Sequence, residues 1–458
     1  MKNIYSPLNP SIRKKLRQIL GKRFLEAPED LKAYSVDASP YNFLPEAVAL
    51  PVNAEEIAEI LRLAQQENFP VIPRGAGTAT TGASLAPQGG LVLSLLRLNR
   101  IIEINQEDLV AVVEPGVFTG EFKRAVEELG LFYPPDPASY EFSTIGGNVA
   151  CGAGGPKGLK YGTTKDYVLG LEAVTATGEI IFCGRRTMKG VVGYNLVHLF
   201  TGSEGTLGVI TKLILKLIPK PPSQATIALW LESTEKAAQA FLEILKAGLF
   251  PSTAELLDDT TLSAVKNLLK KEIHPKAQAL LLLEFDGAKK QVEEDLSEAQ
   301  KTLSNFGMKL DIAVNKKERE RLWQARRLIS PALKKIAPGK LADDVVLPRS
   351  KLPEFLSFAK KIGEKYGLTV ACFGHLGDGN IHVNILFEKE DESKAREARN
   401  EILNKVLASC GTISGEHGIG FTKKGFLPKE LSPEVLLLMK KIKEVFDPQN
   451  ILNPGKIF

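Results

Sequence analysis

The sequence predicts an α+β protein of two domains with a C-terminal segment, on three observations. Before residue 218, short apolar runs alternate with amphipathic helical stretches. A proline-rich break, IPKPP, then covers 218–222. Beyond it the helical content rises, and apolar runs such as LLLLEFDG (280–287) lie between helices. That order predicts an antiparallel sheet covered by helices. A chain of 458 residues is long enough for two to three domains. The boundaries are set at 1–40, 41–220, 221–415 and 416–458.

In chain order, the first 40 residues read as helical, with breaks at Pro7, Pro10 and Pro28. Ser11 to Leu20 is a short basic amphipathic helix: a surface helix, or one that meets a partner or a membrane surface. AVALPV (47–52) is strand-like. The helix after it has Asn53 as cap and glutamates in its first turn. PVIP (70–73), LVLSL (91–95) and AVVEPG (111–116) are strand-like, and Thr119 to Gly130 is a helix that stops at glycine. After the break, Ser233 to Ala247, Thr260 to Lys271 and Lys289 to Phe306 read as helices.

Composition excludes several classes. Lys and Arg number 59 against 54 Asp and Glu, a net charge of only +5, which does not argue for nucleic-acid binding. No apolar run reaches the ~18–20 residues of a membrane span. The N-terminal stretch lacks the apolar block of a secretory signal. The four cysteines, Cys151, Cys183, Cys372 and Cys410, are scattered without C-x-x-C spacing. That excludes an iron–sulfur ferredoxin segment and fits a reducing cytoplasm.

Two glycine loops point to a ligand. Residues 146–162 hold seven glycines in seventeen positions, too many for a regular helix, with apolar residues and strand-like flanks that fit a linker poorly. The loop from Gly75 to Gly82 is G-x-G-x(4)-G, which is not the Rossmann fingerprint, and no phosphate loop of the G-x(4)-G-K-[ST] kind occurs. Glycine-lined N–H groups beside Arg74 still suit a pyrophosphate held in a non-Rossmann way.

The densest chemistry is C-terminal. HLGDGNIH (375–382) contains two of the five histidines. A two-residue turn at Asp378-Gly379 sets His375 directly opposite His382, with Cβ atoms about 4.5–5.5 Å apart. The pair then either shares a metal or is hydrogen-bonded without one. SGEHGIG (414–420) offers Glu416 as a third ligand. Its neighbour His417 points to the other face of an extended chain and is available as a base. His198 and His274 read as structural or surface residues. Arg326, on a helix, either clamps a carboxylate or lies on a solvated face.

These segments carry a resemblance. The chain resembles the FAD-linked 2-hydroxy-acid oxidoreductases of the vanillyl-alcohol-oxidase type, which include the glycolate oxidase FAD subunit, D-lactate dehydrogenases and D-2-hydroxyglutarate dehydrogenase. The carriers are PRGAGT (73–78), YPPDPAS (133–139), STIGGNVA (143–150), AGGPKGLKYGTTKDYVLGLE (153–172), GSEGTLGVIT (202–211), HLGDGNIH, SGEHGIG and FDPQNILNPGK (446–456). The resemblance implies a PCMH-type FAD-binding domain over 41–220, a substrate or cap domain over 221–415, and a C-terminal segment over 416–458 that returns to the flavin.

It implies FAD contacts at Pro73, Arg74, Gly75, Ala76, Gly77, Thr78 and Gly82. Further contacts are implied at Pro135, Asp136, Ser139, Thr144, Gly146, Gly147, Asn148, Gly152, Gly154 and Gly155. Glu204, Gly205, Val209, Ile210 and Asn453 complete the set. No histidine stands in or around PRGAGT, so the FAD is expected to be non-covalent. Ala83 replaces a frequent glycine, and Cys151-Gly152 a frequent polar pair. The resemblance also implies a divalent metal (zinc, manganese or iron) on His375, His382 and Glu416. It implies substrate contacts at Arg326, Ser330 and Asn384, with His417 as catalytic base.

The expected activity is oxidation of a small D-2-hydroxy acid, D-lactate or glycolate, to the 2-oxo acid. A 2-hydroxyglutarate-type dehydrogenase, a non-catalytic electron-relay subunit, and an alkyl-ether-lipid synthase of the same fold class are the alternatives. The expected partners are the hydroxy acid and a separate acceptor: an iron–sulfur subunit, an electron-transfer flavoprotein or a quinone pool. The expected location is the cytoplasm, with peripheral membrane attachment through a partner as an option.

Overall fold

A computed structural model of the protein describes residues 5–266 and 274–458. The chain forms two compact units. The first comprises residues up to 153, 163–220 and 416–458; the second comprises 154–162 and 221–415. The segment 154–162, which the sequence reading kept inside 41–220, thus folds with the second unit.

The first unit holds two main sheets. One has the strand order Phe24–Leu25, Ala47–Ala49, Leu91–Ser94, Val71–Arg74, with its last three strands parallel. The other is antiparallel, in the order Ile101–Asn105, Val110–Val113, Val209–Lys216, Val168–Val174, Ile180–Gly184. The first forty residues are not all helical, because Phe24 and Leu25 pair with Ala49 and Val48. Helix Pro10–Leu20 is capped by the Asn9 side chain and buries Ile12, Leu16 and Leu20, one stripe at i, i+4, i+8. That stripe joins Ile57, Ile60 and Leu61 of helix Ala54–Glu67 in one core with Leu91, Leu93, Val174 and Val209. The core therefore reaches strands of both sheets.

The second unit is one seven-stranded antiparallel sheet. Its order is Lys309–Ala313, Ser223–Leu231, Ala279–Gly287, Thr253–Leu257, Thr369–His375, Asn380–Phe387, Gly339–Val346. Ala279–Gly287 is buried at every position but the last, so it reads as a continuous apolar run because both faces are covered. On one face Ala228, Trp230, Leu280, Leu282 and Phe373 pack with residues of helices Asp259–Val265, Lys316–Arg327 and Ile329–Leu333. On the other, Gly363 of helix Leu352–Tyr366 meets Val370. The helix expected over 260–271 is seen as Asp259–Val265, and residues 267–271 lie outside the described residues. Among the described residues no helix is long and apolar enough to cross a membrane.

Candidate active site

In the first unit the glycine segments converge. Strand Val71–Arg74 runs into the half-buried loop 75–78. A Cβ on Gly75 would collide with the Thr144 hydroxyl, and one on Gly77, at φ +73, with the Arg74 guanidinium. Gly205 lies against Pro73. Asn453 donates from Nδ2 to the carbonyls of Ala83 and Glu204, at 2.9 and 2.7 Å. Buried Lys443, on helix Pro433–Phe446, gives its ammonium to the Thr206 and Leu452 carbonyls and to Asp447. These bonds hold the segments 204–206 and 452–453 together.

Arg74 is turned inward. It is 6% exposed, donates from Nη2 to the Val36 carbonyl at 2.8 Å and stacks over Tyr34. Its Nη1 also meets the Ser84 carbonyl and hydroxyl, each at 3.4 Å. Contrary to expectation, Gly146 and Gly147 lie in a short helix, Ile145–Cys151. The helix forms because Thr144 caps it, accepting from the Gly147 N–H, and because Gly146 packs directly on Pro115. Tertiary contact outweighs the glycine penalty there.

Pro135, Asn148, Val209 and Ile210 are buried, while Asp136, Ser139 and Gly152 are half-buried. Gly154 and Gly155 belong to the second unit. There, Lys157 pairs with Glu284 and Lys160 with Asp286, both at 2.7 Å, and a Cβ on Gly158 would collide with Asp378. The glycine at 158 thus permits close packing on the histidine hairpin.

The C-terminal loop of the first unit is held by Glu204, at φ +53 a left-handed non-glycine residue. Its two oxygens accept the N–H groups of Ile419 and Gly420 at 2.7 and 2.8 Å. Burial pushes this carboxyl up, against those two bonds and the charges of Lys456 and Lys423. Burial also pushes Lys456 down to about 8, against Glu204 and Asp37. Thr81 donates to the His417 carbonyl at 3.2 Å. Glu416 and His417 do not diverge as they would on an extended strand. They lie in bends, with His417 Nε2 3.8 Å from Glu416 Oε1.

In the second unit one sheet face carries the chemistry. Glu255 stands directly opposite His375 across neighbouring strands, and His382 stands opposite both Phe373 and Asp344. The hairpin register differs from expectation. His375 pairs with Asn380, not His382, because residues 376–379 form a four-residue loop. Gly379 donates to the Leu376 carbonyl, and Arg349 grips the Gly377 carbonyl. The slip is two residues, so both imidazoles stay on one face as diagonal neighbours, with ring centroids 5.2 Å apart. Both are nearly buried, at 5% and 8% exposure.

Arg326 lies on the buried face of its helix, not in solvent. Arg319, Trp323 and Arg326, at i, i+4 and i+7, all turn to the sheet: Arg319 to Gln224, Trp323 to Glu284 and Arg326 to Glu255. The Arg326 guanidinium also lies over the Phe373 ring at 4.8 Å. Glu255 is fully buried and takes Arg326 Nε on one oxygen and His375 Nδ1 on the other. Burial raises its carboxyl, but Arg326 and His375 outweigh that and hold it below the ordinary carboxylate range. Asn384 is buried two residues beyond His382. Ser330 is met by the Lys340 ammonium at 3.1 Å, and burial, with Lys334 nearby, pushes that ammonium down to about 8.

Sequence reasoning missed Glu255, Lys340 and Asp344. Asp344 is fully buried and accepts the Gly415 N–H at 2.9 Å. A lone acid inside an apolar strand was the available signal for Glu255.

The residues fit the groups the resemblance implies. Close-packed glycine backbone, with no room for side chains at Gly75 and Gly77, suits a dinucleotide. The two imidazoles of His375 and His382, together on one face of the second unit, are nitrogen donors of the kind that suits zinc, manganese or iron.

Comparison with known proteins supports the flavin half of this fit. Residues 45–184 match the family described as FAD binding domain. Residues 220–457 match FAD linked oxidases, C-terminal domain. The glycolate oxidase subunit GlcD of Bacillus subtilis is 40% identical, over 98% of this chain and 97% of that protein. A D-lactate dehydrogenase of Anaerostipes hadrus is 34% identical, over 99% and 98%. A crystal structure of p-cresol methylhydroxylase with substrate bound shares the fold, with a TM-score of 0.81, 19% identity and coverage of 97% and 96%. The chain belongs to the FAD-linked oxidases, with a PCMH-type FAD-binding fold and an oxidoreductase's architecture.

Proposed function

We propose that the protein oxidises a small D-2-hydroxy acid, D-lactate or glycolate, to the 2-oxo acid and passes the electrons to a separate acceptor. The observation that carries this reading is the row Arg326, Glu255, His375 with His382 beside it: a carboxylate-binding cation next to two imidazoles on one buried face. The names of the relatives, glycolate oxidase subunit and D-lactate dehydrogenase, point the same way.

The chemistry supplied by the bound groups is two-electron acceptance by non-covalent FAD and Lewis acidity from a divalent ion on His375, His382 and Glu416. The chain's own residues do the rest. Arg326 has given its Nε–H to Glu255, so a substrate carboxylate is taken by its Nη hydrogens. Asn384 and Ser330 add polar contacts. His417 takes the hydroxyl proton, a role open to an imidazole near neutral pH. No cysteine cluster exists in the sequence to relay electrons. The acceptor proposed is an iron–sulfur subunit, an electron-transfer flavoprotein or a quinone. The proposed location is the cytoplasm, with any membrane attachment made through that partner.

A second reading has one observation of its own. Lys340 beside Ser330 is a further cation, suited to a substrate with a second carboxylate, such as 2-hydroxyglutarate.

The test is anaerobic addition of D-lactate, then glycolate, to the purified yellow protein. Loss of the flavin absorbance establishes the half-reaction. His417→Ala is expected to keep FAD and lose the bleaching. Retained colour with lactate, glycolate and 2-hydroxyglutarate, after divalent metal is restored, overturns the proposal in favour of a non-catalytic flavoprotein subunit.

A further inference from the structure

We infer that Glu255 is a positioning residue that sets the histidine tautomer of the metal site and the orientation of the substrate-binding arginine through one carboxylate. The inference rests on the reading of His375 as a metal ligand and Arg326 as the carboxylate clamp.

The sheet dictates the arrangement. Glu255 is the direct cross-strand partner of His375, so their side chains leave the same face side by side. Helix Lys316–Arg327 lays Arg326 over that face. Glu255 and the two groups it meets are almost wholly withdrawn from solvent, with Glu255 at 0%, His375 at 5% and Arg326 at 6% exposure. A carboxylate so buried persists only when its oxygens are paired. Here each oxygen has its own partner: Oε2 takes Arg326 Nε, and Oε1 takes His375 Nδ1.

Two consequences follow from the chemistry of the partners. An ionised carboxylate is an acceptor only, so His375 must carry its proton on Nδ1. Nε2 is then the nitrogen with a lone pair for a metal, and the bond to Glu255 raises its basicity. Arg326, held at Nε and stacked on Phe373, has one edge of its guanidinium spoken for. Its fork is thereby fixed in rotation before a substrate arrives, which lowers the cost of ordering it on binding. The metal and the substrate carboxylate share one support, so a defect in Glu255 weakens both.

The experiment compares wild type with Glu255→Gln and Glu255→Asp as full-length, FAD-loaded protein. The FAD-to-protein ratio serves as the folding control, because the glycine loops lie in the first unit. Metal-stripped protein is titrated with Zn2+ and Mn2+ against a competing chelator. Metal-stripped wild type labelled with 15N-histidine is also examined by NMR, where five histidines give a tractable spectrum and His375→Asn assigns the residue. Wild-type His375 is expected as the Nδ1–H tautomer. Glu255→Gln presents an amide N–H to one of two donors, so metal affinity is expected to fall about 10–100-fold. KM for the hydroxy acid is expected to rise at saturating metal, with FAD retained. Glu255→Asp, a shorter carboxylate, is expected to recover part of both.

An Nε2–H tautomer in the wild type, or wild-type metal affinity and KM in Glu255→Gln, overturns the inference and leaves the metal site standing. A wild type that binds neither Zn2+ nor Mn2+ overturns the metal reading instead, and with it the tautomer argument.

Discussion

The carboxylate of Glu204 accepts the backbone N–H of Ile419 at 2.7 Å. A residue from the GSEG segment thus holds the chain two residues beyond His417. The second oxygen does the same for Gly420, so one buried side chain fixes two successive N–H groups of the loop that carries the proposed base, beside the Thr81 bond to His417. Glu204→Gln keeps the shape but turns an NH2 toward one of these donors. The expected loss is about 1–3 kcal/mol, the cost of leaving buried polar groups unpaired. Flavin reduction by the substrate is expected to slow at least ten-fold. Thermal denaturation and anaerobic stopped-flow absorbance check both, and wild-type values in each would remove Glu204 from this role.

Neighbouring glycines 146 and 147 make a matched pair. Both lie in helix Ile145–Cys151, where alanine would ordinarily gain about 1 kcal/mol over glycine. A Cβ at Gly146 meets the Pro115 ring and its carbonyl, which is rigid backbone at 2.9 Å. Overpacking, about 1–3 kcal/mol, exceeds the propensity gain. At Gly147 the nearest obstacle is the Thr144 hydroxyl at 3.1 Å, which a small rotation relieves. Gly146→Ala is therefore expected to destabilise the protein, and Gly147→Ala to be within about 1 kcal/mol of wild type. Urea unfolding of the two variants decides it; equal midpoints would mean that the Pro115 contact is soft.

The histidine pair shows what was legible in the sequence and what was not. Asp-Gly between alternating residues announces a hairpin, but the dipeptide does not give the loop length. The register therefore came out two residues from expectation, and the side-chain period of two preserved the face. The helix bearing Arg326 was legible from its pattern. Its burial was not, because the acid that draws it in, Glu255, lies 71 residues away in sequence. Locally, Glu255 shows only as a lone acid in a short apolar strand, which names neither of its partners. The short helix at Ile145–Cys151 was hidden for a similar reason: the packing of Gly146 on Pro115 is a tertiary fact that composition opposes. The glycine loops, by contrast, were legible because so many glycines in so short a span admit few other uses.

Asp258 gives the fold a pH dependence. It caps helix Asp259–Val265 by accepting the Thr261 N–H, and it also accepts the Cys372 N–H. Burial raises its carboxyl to about 7, with those hydrogen bonds opposing. The folded value lies above the unfolded one of roughly 3.9. The proton-linked stability is then fully present below about pH 4 and is lost as pH rises through 7. Three pKa units correspond to about 4 kcal/mol. Urea midpoints measured from pH 4.5 to 8 are expected to fall for this group, and Asp258→Asn is expected to flatten the profile. An unchanged slope in the variant would assign the dependence elsewhere.

Lys340 separates the two substrate readings. Burial, with Lys334 beside it, brings its ammonium to about 8, well below a free lysine. The charged form dominates below pH 8 and is lost above it. If Lys340 binds a second carboxylate, KM for 2-hydroxyglutarate rises as pH passes 8, while KM for D-lactate, which has no second carboxylate, does not respond to this group. Lys340→Met is expected to raise the diacid KM at pH 7 at least ten-fold and to leave that of lactate within about two-fold, consistent with the loss of one charge-assisted hydrogen bond. For folding the sign is the reverse. A depressed lysine contributes stability that is present above about pH 10.4 and is lost as pH falls through 8. The activity and stability profiles should therefore move in opposite directions across the same window. Measuring KM for both acids from pH 6.5 to 9.5 checks the assignment. Parallel KM curves for the two acids would show that Lys340 does not distinguish them.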